Sequence, residues 1–246
     1  MASNVSEIFI TKETIKRLAK DVKEIYTNPL EQHGIYYFHS EDDILSGQAL
    51  IIGPKNTPYT YGNYLFTFRF PPDYPVKPPT VTYHTNDGIT RFNPNLYRSG
   101  KVCISILNTW KGPQWTSCQS ISSILLCICS SVLNETPLLN EPGITKQHED
   151  YNKYMKIITY KNFEVAIANI ILNDKVKTNF SELHKIIIER FLENYNNIIL
   201  NLEEKLNDKE TQDNELIETN IYRMRIKTTY YNTKKRIEEI YKLLKN

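Results

Sequence analysis

Residues 70–79 read FPPDYPVKPP, and five of these ten residues are proline. A proline has no backbone N–H and its ring fixes φ, so none of the five can donate a hydrogen bond to a neighbouring strand. The stretch is therefore predicted to be a rigid connector that ends one strand before the next one begins.

Short segments on both sides of this connector have the composition of β-strands. They are rich in β-branched and aromatic residues, and clusters of Pro, Gly, Asn and Asp separate them. The predicted strands are Ile35–Phe38, Gln48–Gly53, Tyr64–Phe70 and Thr80–Tyr83. Because the loops between consecutive strands are short, the pattern favours an antiparallel meander.

A helix is predicted before the first strand. Ile15, Leu18, Val22 and Ile25 lie on one helical face, and Pro29 ends the helix. Its outer face is basic, and a solvated face and a docking surface are equally good interpretations of that row. The basic residues are Lys12, Lys16, Arg17, Lys20 and Lys23.

The residues that break helices stop at position 143. All eight glycines and all twelve prolines lie between Pro29 and Gly143, so residues 144–246 contain neither. This change predicts an α+β core that carries an all-helical C-terminal extension. Apolar periodicity predicts further helices at about Gln119–Leu133, Ile144–Leu172, Ser181–Leu206 and Asn214–Lys245.

The composition excludes several classes of protein. Of the 246 residues, 40% are hydrophobic and 24% are charged, as in an average soluble globular chain. A net charge of +2 is too small to indicate binding to nucleic acid or to an anionic membrane. No apolar run approaches the roughly 18 residues of a membrane helix, and the N-terminus lacks the pattern of a secretory signal. We therefore expect a cytoplasmic or nuclear protein with free thiols.

Four cysteines compete for a chemical role. Cys127 and Cys129 lie in an apolar predicted helix, where burial raises the pKa of a thiol and lowers its reactivity. Cys118 lies near a predicted helix start, which favours the thiolate, so it stays open as an alternative. Cys103 follows an irregular loop rich in Asn and Pro, which can present a side chain to solvent. A small buried hydrophobe is the plainer interpretation of Cys103.

The residues around Cys103 suit a thioester intermediate. A cysteine thiolate is a strong nucleophile, and attack of an amine on its thioester passes through an oxyanion that an amide N–H can stabilise. Asn93-Pro94-Asn95 provides such a donor on a segment stiffened by proline. Glu141 could orient an attacking lysine and help to deprotonate it. An Asx-type turn at Asn95 and an ordinary exposed Glu141 are the plainer interpretations.

A cysteine protease is the alternative enzyme class for a chain with a reactive cysteine. Such an enzyme needs a His base within hydrogen-bond reach of its nucleophile. None of the five histidines lies within residues 93–105, and no protease signature surrounds any cysteine. The sequence also lacks the Cys-x-x-Cys pair or clustered His that would indicate a zinc site.

Several motifs occur together in one order. They are Gly53-Pro54, Thr57-Pro58-Tyr59, Gly62, the connector at residues 70–79, Asn93-Pro94-Asn95, Gly100–Leu107 and Trp115. On these motifs, residues from about 11 to 160 resemble the ubiquitin-conjugating (E2) family, in which Asn95 and Cys103 have the family's eight-residue spacing. Arg91–Tyr97, Asn108–Trp115 and Asn140–Gly143 are similar to the Z-type branch of that family.

This resemblance implies a particular fold and domain division. The expected UBC fold has a four-stranded antiparallel sheet, an N-terminal helix and following helices. Residues 1–160 would form the conjugating core, and residues 161–246 would form a helical extension packed on or beside it.

The resemblance also implies roles for four residues. Cys103 matches the cysteine that accepts ubiquitin, and Asn95 matches the asparagine that supports aminolysis of the thioester. Tyr97 and Glu141 match positions that line the approach of the lysine in some members. For these roles we expect the Cys103 sulfur to be reachable from solvent.

The implied partners are those of the conjugation pathway. They are ubiquitin or a ubiquitin-like modifier, an activating enzyme (E1), a ligase (E3) and the lysines of substrate proteins. ATP is consumed by the activating enzyme, so no cofactor and no metal are expected here. Two alternatives remain open, a conjugating enzyme for another ubiquitin-like modifier and a non-catalytic scaffold that binds ubiquitin or a ligase.

Four positions depart from the family pattern. Asn93 stands where most members have a His that is usually structural, and Ser105 replaces a frequent Asp. Val76 stands where many members have a ligase-contacting Phe, and Thr116-Ser117-Cys118 replaces a Ser-Pro-Ala loop. The last two departures alter the surface through which members of the family bind ligases.

Overall fold

The computed structural model describes residues 9–208 and 213–245. Its centre is a four-stranded antiparallel sheet in the order β1-β2-β3-β4. The strands are β1 (Ile35–His39), β2 (Ser46–Ile52), β3 (Asn63–Arg69) and β4 (Thr80–Tyr83). The predicted meander is confirmed, and every strand begins and ends within two residues of its predicted bounds.

The register of the strands concentrates large side chains in the core. Ile51 pairs with Tyr64, and Phe66 pairs with both Ala49 and Tyr83. All five side chains are buried. Successive residues of a strand point to opposite faces, so these paired positions build one apolar layer across the sheet.

The proline-rich connector is held by the N-terminal helix, α1 (Lys12–Thr27). The Thr14 hydroxyl lies 2.7 Å from the backbone oxygen of Pro72 and 2.8 Å from that of Tyr74. The Tyr74 hydroxyl donates to Asp21 at 2.5 Å. The helix thus satisfies carbonyl groups that the connector cannot pair with a strand.

One residue of the basic row on α1 has a structural partner. The Arg17 guanidinium donates to the backbone oxygens of Ser117 and Gln119 and, through Nε, to Asp21 at 2.8 Å. Arg17 therefore fixes the loop before the next helix, while the other four basic side chains are exposed.

A helix after the sheet confirms the prediction at 119–133. It comprises α2 (Ile121–Cys127) and a π-helical continuation over Ile128–Val132. Ser120 caps its N-terminus, since its side chain accepts a hydrogen bond from the Ser123 N–H while the Ser123 hydroxyl accepts one from the Ser120 N–H.

The helix predicted from Ile144 begins seven residues later, at α3 (Tyr151–Lys161). It continues through a π-helical segment, Asn162–Asn169, to α4 (Ile170–Leu172). Residues 146–150 form turns and a bend instead, and His148 N–H donates to Thr145 O at 3.1 Å. Periodicity alone could not locate this boundary, because no Pro or Gly marks it.

The C-terminal extension packs on the core. It contains α5 (Asp174–Asn179), α6 (Ser181–Asn207) and α7 (Tyr230–Lys245). The α6 face predicted to be apolar is buried at Leu183, Ile187 and Leu202. Buried side chains of the sheet, the central helices and this extension form one continuous cluster. The domain boundary at residue 160 stays a prediction, and it falls within a continuous helical segment.

The prediction of one helix over Asn214–Lys245 is wrong for its first part, so the extension is not all-helical. An antiparallel hairpin formed by β5 (Leu216–Thr219) and β6 (Met224–Lys227) precedes α7. Burial alternates along both strands, as a half-buried hairpin requires. Apolar residues in this stretch fit both a period of two and a helical period, and packing against α3 selects the strands.

Across the described residues, no helix combines the length and the apolar character needed to cross a membrane.

Candidate active site

A tight loop brings the predicted asparagine and cysteine together. Cys103 N–H donates to Asn95 O at 2.9 Å, and Tyr97 N–H donates to Lys101 O at 2.9 Å. The turn between them needs Gly100, whose φ is +89° and whose position would put a Cβ 2.9 Å from Tyr83 O. The eight-residue spacing between Asn95 and Cys103 is therefore the length of one closed loop.

The Asn95 side chain is directed at the cysteine. Its Nδ2 donates to the backbone oxygen of Cys103 at 2.6 Å, and its Oδ1 accepts from Asn140 Nδ2 at 3.0 Å. The side chain is buried, with 5% of the residue exposed. Both ends of the carboxamide thus have protein partners, which fixes its orientation.

Asn93 forms the Asx-type turn that the sequence left open for Asn95. Asn93 Oδ1 accepts from Asn95 N–H at 2.8 Å, and Asn93 Nδ2 donates to Val132 O at 2.7 Å. The residue is completely buried. Asn93 therefore supports the segment structurally, in the position where most members of the resembled family have His.

Cys103 is buried, with only 2% of the residue exposed. The expectation that its sulfur is reachable from solvent is wrong for this structure. Its neighbours Val102 and Ile104 are part of the core, and the chain after them turns back, with Thr109 Oγ1 accepting from Ile104 N–H at 3.0 Å. Apolar neighbours on both sides draw the segment inward.

The other cysteines have different surroundings. Cys118 is exposed and lies two residues before the α2 cap, whereas Cys127 and Cys129 are half-buried. Burial raises the pKa of both the Cys127 and the Cys129 thiol. All four cysteines are free of disulfides, as expected.

Arg91 stacks on Tyr97 and supports the asparagine segment. Its guanidinium carbon lies 3.4 Å from the Tyr97 ring centroid. Arg91 Nε donates to Asn93 O at 3.1 Å, and Nη2 donates to Pro94 O at 2.6 Å. The sequence indicates no separate role for Arg91, and the one local signal is a basic residue two positions before Asn93.

Glu141 is bonded to the C-terminal extension. The Tyr222 hydroxyl donates to Glu141 Oε2, and Arg98 Nη2 donates to Tyr222 O at 2.6 Å. Burial, and then the bond to Glu141, raise the pKa of Tyr222 well above its usual value. No local pattern could have indicated Tyr222, because 81 residues separate it from its partner.

The structure thus arranges the predicted residues in two linked groups. Asn95 and Cys103 form one group through the loop that joins them. Tyr97 and Glu141 are partly buried and are connected through Arg91 and Tyr222, since the Arg91 guanidinium lies 5.2 Å from the Tyr222 ring centroid. Among residues 9–208 and 213–245, no three His, Cys, Asp or Glu side chains cluster in a way that could hold a metal ion.

The chain is similar to known proteins. A family model described as "Ubiquitin-conjugating enzyme" matches residues 17–162, a range that contains all four predicted site residues. A solved structure of human Ubiquitin-conjugating enzyme E2 G1 has 31% sequence identity and a TM-score of 0.41, covering 47% of this chain and 90% of that one.

Two relatives with the same name are similar to this chain over most of its length. "Ubiquitin-conjugating enzyme E2 Z" of Danio rerio is 41% identical over 188 residues, covering 75% of this chain and 56% of the relative. The protein of the same name from Homo sapiens is 42% identical over 162 residues, covering 65% of this chain and 45% of the relative. The chain therefore spans about half the length of the curated relatives it matches.

Proposed function

This chain belongs to the ubiquitin-conjugating enzyme family, and on that premise we propose that it accepts ubiquitin as a thioester on Cys103 and transfers it to a lysine or to a ligase cysteine. The observation that carries the proposal is the 2.6 Å hydrogen bond from Asn95 Nδ2 to Cys103 O inside the matched region. It holds an amide donor beside the residue that would carry the acyl group.

The first step is an exchange of thioesters. The Cys103 thiolate attacks the carbonyl carbon of ubiquitin held on the activating enzyme, a new C–S bond forms, and the thiolate of the activating enzyme leaves. ATP is used when the activating enzyme is loaded, so the conjugating chain itself requires no cofactor for this exchange.

The second step is aminolysis. A deprotonated lysine attacks the thioester carbonyl and the C–N bond forms. The C–S bond then breaks to release the Cys103 thiolate, and the proton lost by the nitrogen passes to solvent. Asn95 Nδ2 carries two hydrogens, and only one of them is needed for the bond to Cys103 O. The other can donate to the oxyanion formed on the way, while Glu141 and Tyr97 line the approach of the amine.

The burial of Cys103 sets a condition on both steps. In this conformation only 2% of Cys103 is exposed, which leaves little room for the carboxyl end of a second protein. Charging therefore requires a local opening of the segment after Cys103, whose turn is held by the bonds between Ile104 and Thr109.

A charging assay tests the proposal. The protein is mixed with an activating enzyme, ubiquitin and ATP, and the expected product is an adduct that a thiol reductant removes. Cys103→Ser should convert this adduct to an ester that survives the reductant, whereas the matched control Cys118→Ser should leave the thioester intact. An adduct unchanged in Cys103→Ser would refute the assignment of the site.

A non-catalytic ubiquitin-binding scaffold is the second candidate function. The observation that favours it is the burial of Cys103. In that case the assay would yield no adduct with any activating enzyme, although the protein would still bind ubiquitin or a ligase. The assay is then repeated with other ubiquitin-like modifiers and their activating enzymes. An adduct formed only with another modifier would indicate a conjugating enzyme for that modifier rather than a scaffold.

A further inference from the structure

The turn of the C-terminal hairpin docks next to the candidate site. Ile221 N–H donates to Asp150 Oδ2 at 2.8 Å, and Asp150 is completely buried. Asn220 Nδ2 donates to Glu149 Oε1 at 2.9 Å. These bonds attach the turn between β5 and β6 to the segment just before α3.

The turn has an unusual backbone. Tyr222 and Arg223 have φ values of 57° and 47°, in the left-handed region that bulky residues seldom occupy. Such conformations persist only where surrounding contacts impose them, and they are frequent at functional sites. Here the bond from Arg98 Nη2 to Tyr222 O, at 2.6 Å, is one of those contacts.

This conformation directs the Tyr222 side chain at two groups of the site. Its hydroxyl donates to Glu141 Oε2. The centroid of its ring lies 5.2 Å from the Arg91 guanidinium carbon. The same carbon lies 3.4 Å from the centroid of the Tyr97 ring. A cation beside two aromatic rings is restrained more strongly than a cation beside one.

Arg91 carries that restraint to the asparagine segment. It donates to the backbone oxygens of Asn93 and Pro94, and Asn93 in turn accepts from Asn95 N–H. Tyr222 therefore contacts the predicted acceptor carboxylate directly and supports the predicted oxyanion donor, Asn95, through Arg91.

We propose that Tyr222 is a positioning residue for transfer to a cationic amine: its hydroxyl fixes the Glu141 carboxylate that receives the incoming ammonium, and its ring fixes the segment that carries Asn95. This inference rests on the proposed function. An ionised carboxylate can accept several hydrogen bonds, so Glu141 can bind the ammonium while it accepts from Tyr222.

Two amines separate this role from a merely structural one. Free lysine is a cation and depends on a carboxylate to bind and deprotonate it, whereas hydroxylamine is uncharged at neutral pH. The full-length chain is charged with ubiquitin, the activating enzyme is stopped, and loss of the thioester is followed with each amine over a range of concentrations.

Tyr222→Phe removes only the hydroxyl. We expect it to slow discharge to subsaturating lysine by about tenfold, the equivalent of one hydrogen bond to a charged group, and to slow discharge to hydroxylamine by less than about twofold. In an E141Q background, Y222F should have no further effect on lysine discharge, because the pair acts as a unit. Tyr231→Phe, at an exposed tyrosine of α7, is the matched control.

Tyr222→Ala removes the ring as well. We expect it to slow discharge to both amines, because Arg91 loses one of its aromatic partners and the Asn95 segment loosens. Y222F could instead charge normally and discharge equally slowly to lysine and hydroxylamine, or discharge to both at the wild-type rate. Either result would overturn the inference. If the wild-type chain forms no adduct on Cys103, the proposed function fails first and this inference fails with it.

Discussion

The side-chain amide of Asn95 donates a 2.6 Å hydrogen bond to the backbone oxygen of Cys103. The two residues also share a backbone bond, from Cys103 N–H to Asn95 O at 2.9 Å. Two bonds between the same pair fix the Asn95 amide relative to the residue proposed to carry the acyl group. Preorganised donors of this kind stabilise a developing oxyanion without reorganising during the reaction.

Asn95→Ala should separate the two half-reactions. Charging by the activating enzyme should survive, while discharge to lysine should slow by about a hundredfold, because the oxyanion loses its donor. Single-turnover discharge of the charged enzyme measures this effect. Asn232→Ala, at an exposed position of α7, controls for loss of an asparagine. Equal discharge rates for Asn95→Ala and wild type would exclude the oxyanion role.

Cys103 should react slowly with an alkylating reagent. The exposed Cys118 is expected to be labelled by a maleimide first, and Cys103 at least about tenfold more slowly, because its sulfur becomes accessible only through local opening. Peptide mass spectrometry over time follows both sites. Cys118→Ser should abolish the fast phase and leave the slow one, and a fast phase at Cys103 would contradict its burial in solution.

Asp150→Ala should destabilise the protein by about 2 kcal/mol, because the partly buried Ile221 N–H loses the acceptor that the buried Asp150 side chain provides. Since this bond anchors the hairpin turn, discharge of the thioester to lysine should also slow. Charging by the activating enzyme, measured in parallel, shows whether the rest of the site is intact. Urea unfolding and the discharge assay measure the two effects. The neighbouring Glu149→Ala removes an exposed hydrogen bond and should change stability by less than about 0.5 kcal/mol.

Asp87 should make stability depend on pH. Burial acts to raise the pKa of Asp87, but N–H donors of Thr90 and Ile89 and the ammonium of Lys161, 3.2 Å away, outweigh it, so the pKa lies below its usual value. A carboxyl whose pKa is depressed by folding contributes stability above its unfolded pKa of about 4, and this contribution is lost as the pH falls through the folded pKa.

The corresponding variant is Asp87→Asn. Its free energy of unfolding should be lower than that of the wild type at neutral pH, by about 1–2 kcal/mol, and the difference should shrink below about pH 4. Urea unfolding at several pH values measures it. Asp73→Asn, in an exposed pair with Lys77, should show little difference at any of these pH values. A gap that stays constant down to pH 2 would contradict the role given to ionised Asp87.

Local rules were sufficient for the sheet and the connector. Strand composition, short loops and the five prolines of residues 70–79 each act over a few neighbouring residues. They therefore determine local structure without contacts from distant parts of the chain. The same holds for the Asn95 to Cys103 loop, whose closure depends on its own length and on Gly100.

Local rules failed where two periods fitted one stretch. Apolar residues over 214–227 match a helix as well as a hairpin, and the hairpin wins because its turn binds Asp150, Glu141 and Arg98 from distant parts of the chain. The burial of Cys103 escaped prediction for a similar reason, since an irregular loop was expected to stay at the surface and the core drew it inward.

By itself, the sequence determined that this chain has a four-stranded antiparallel meander, a proline connector and a loop that joins one asparagine to one cysteine, because each depends on neighbouring residues. Only the tertiary structure decided that Tyr222 meets Glu141 and that the cysteine is covered. Contacts between residues 81 positions apart leave no periodic trace in a sequence, because they depend on how whole elements pack.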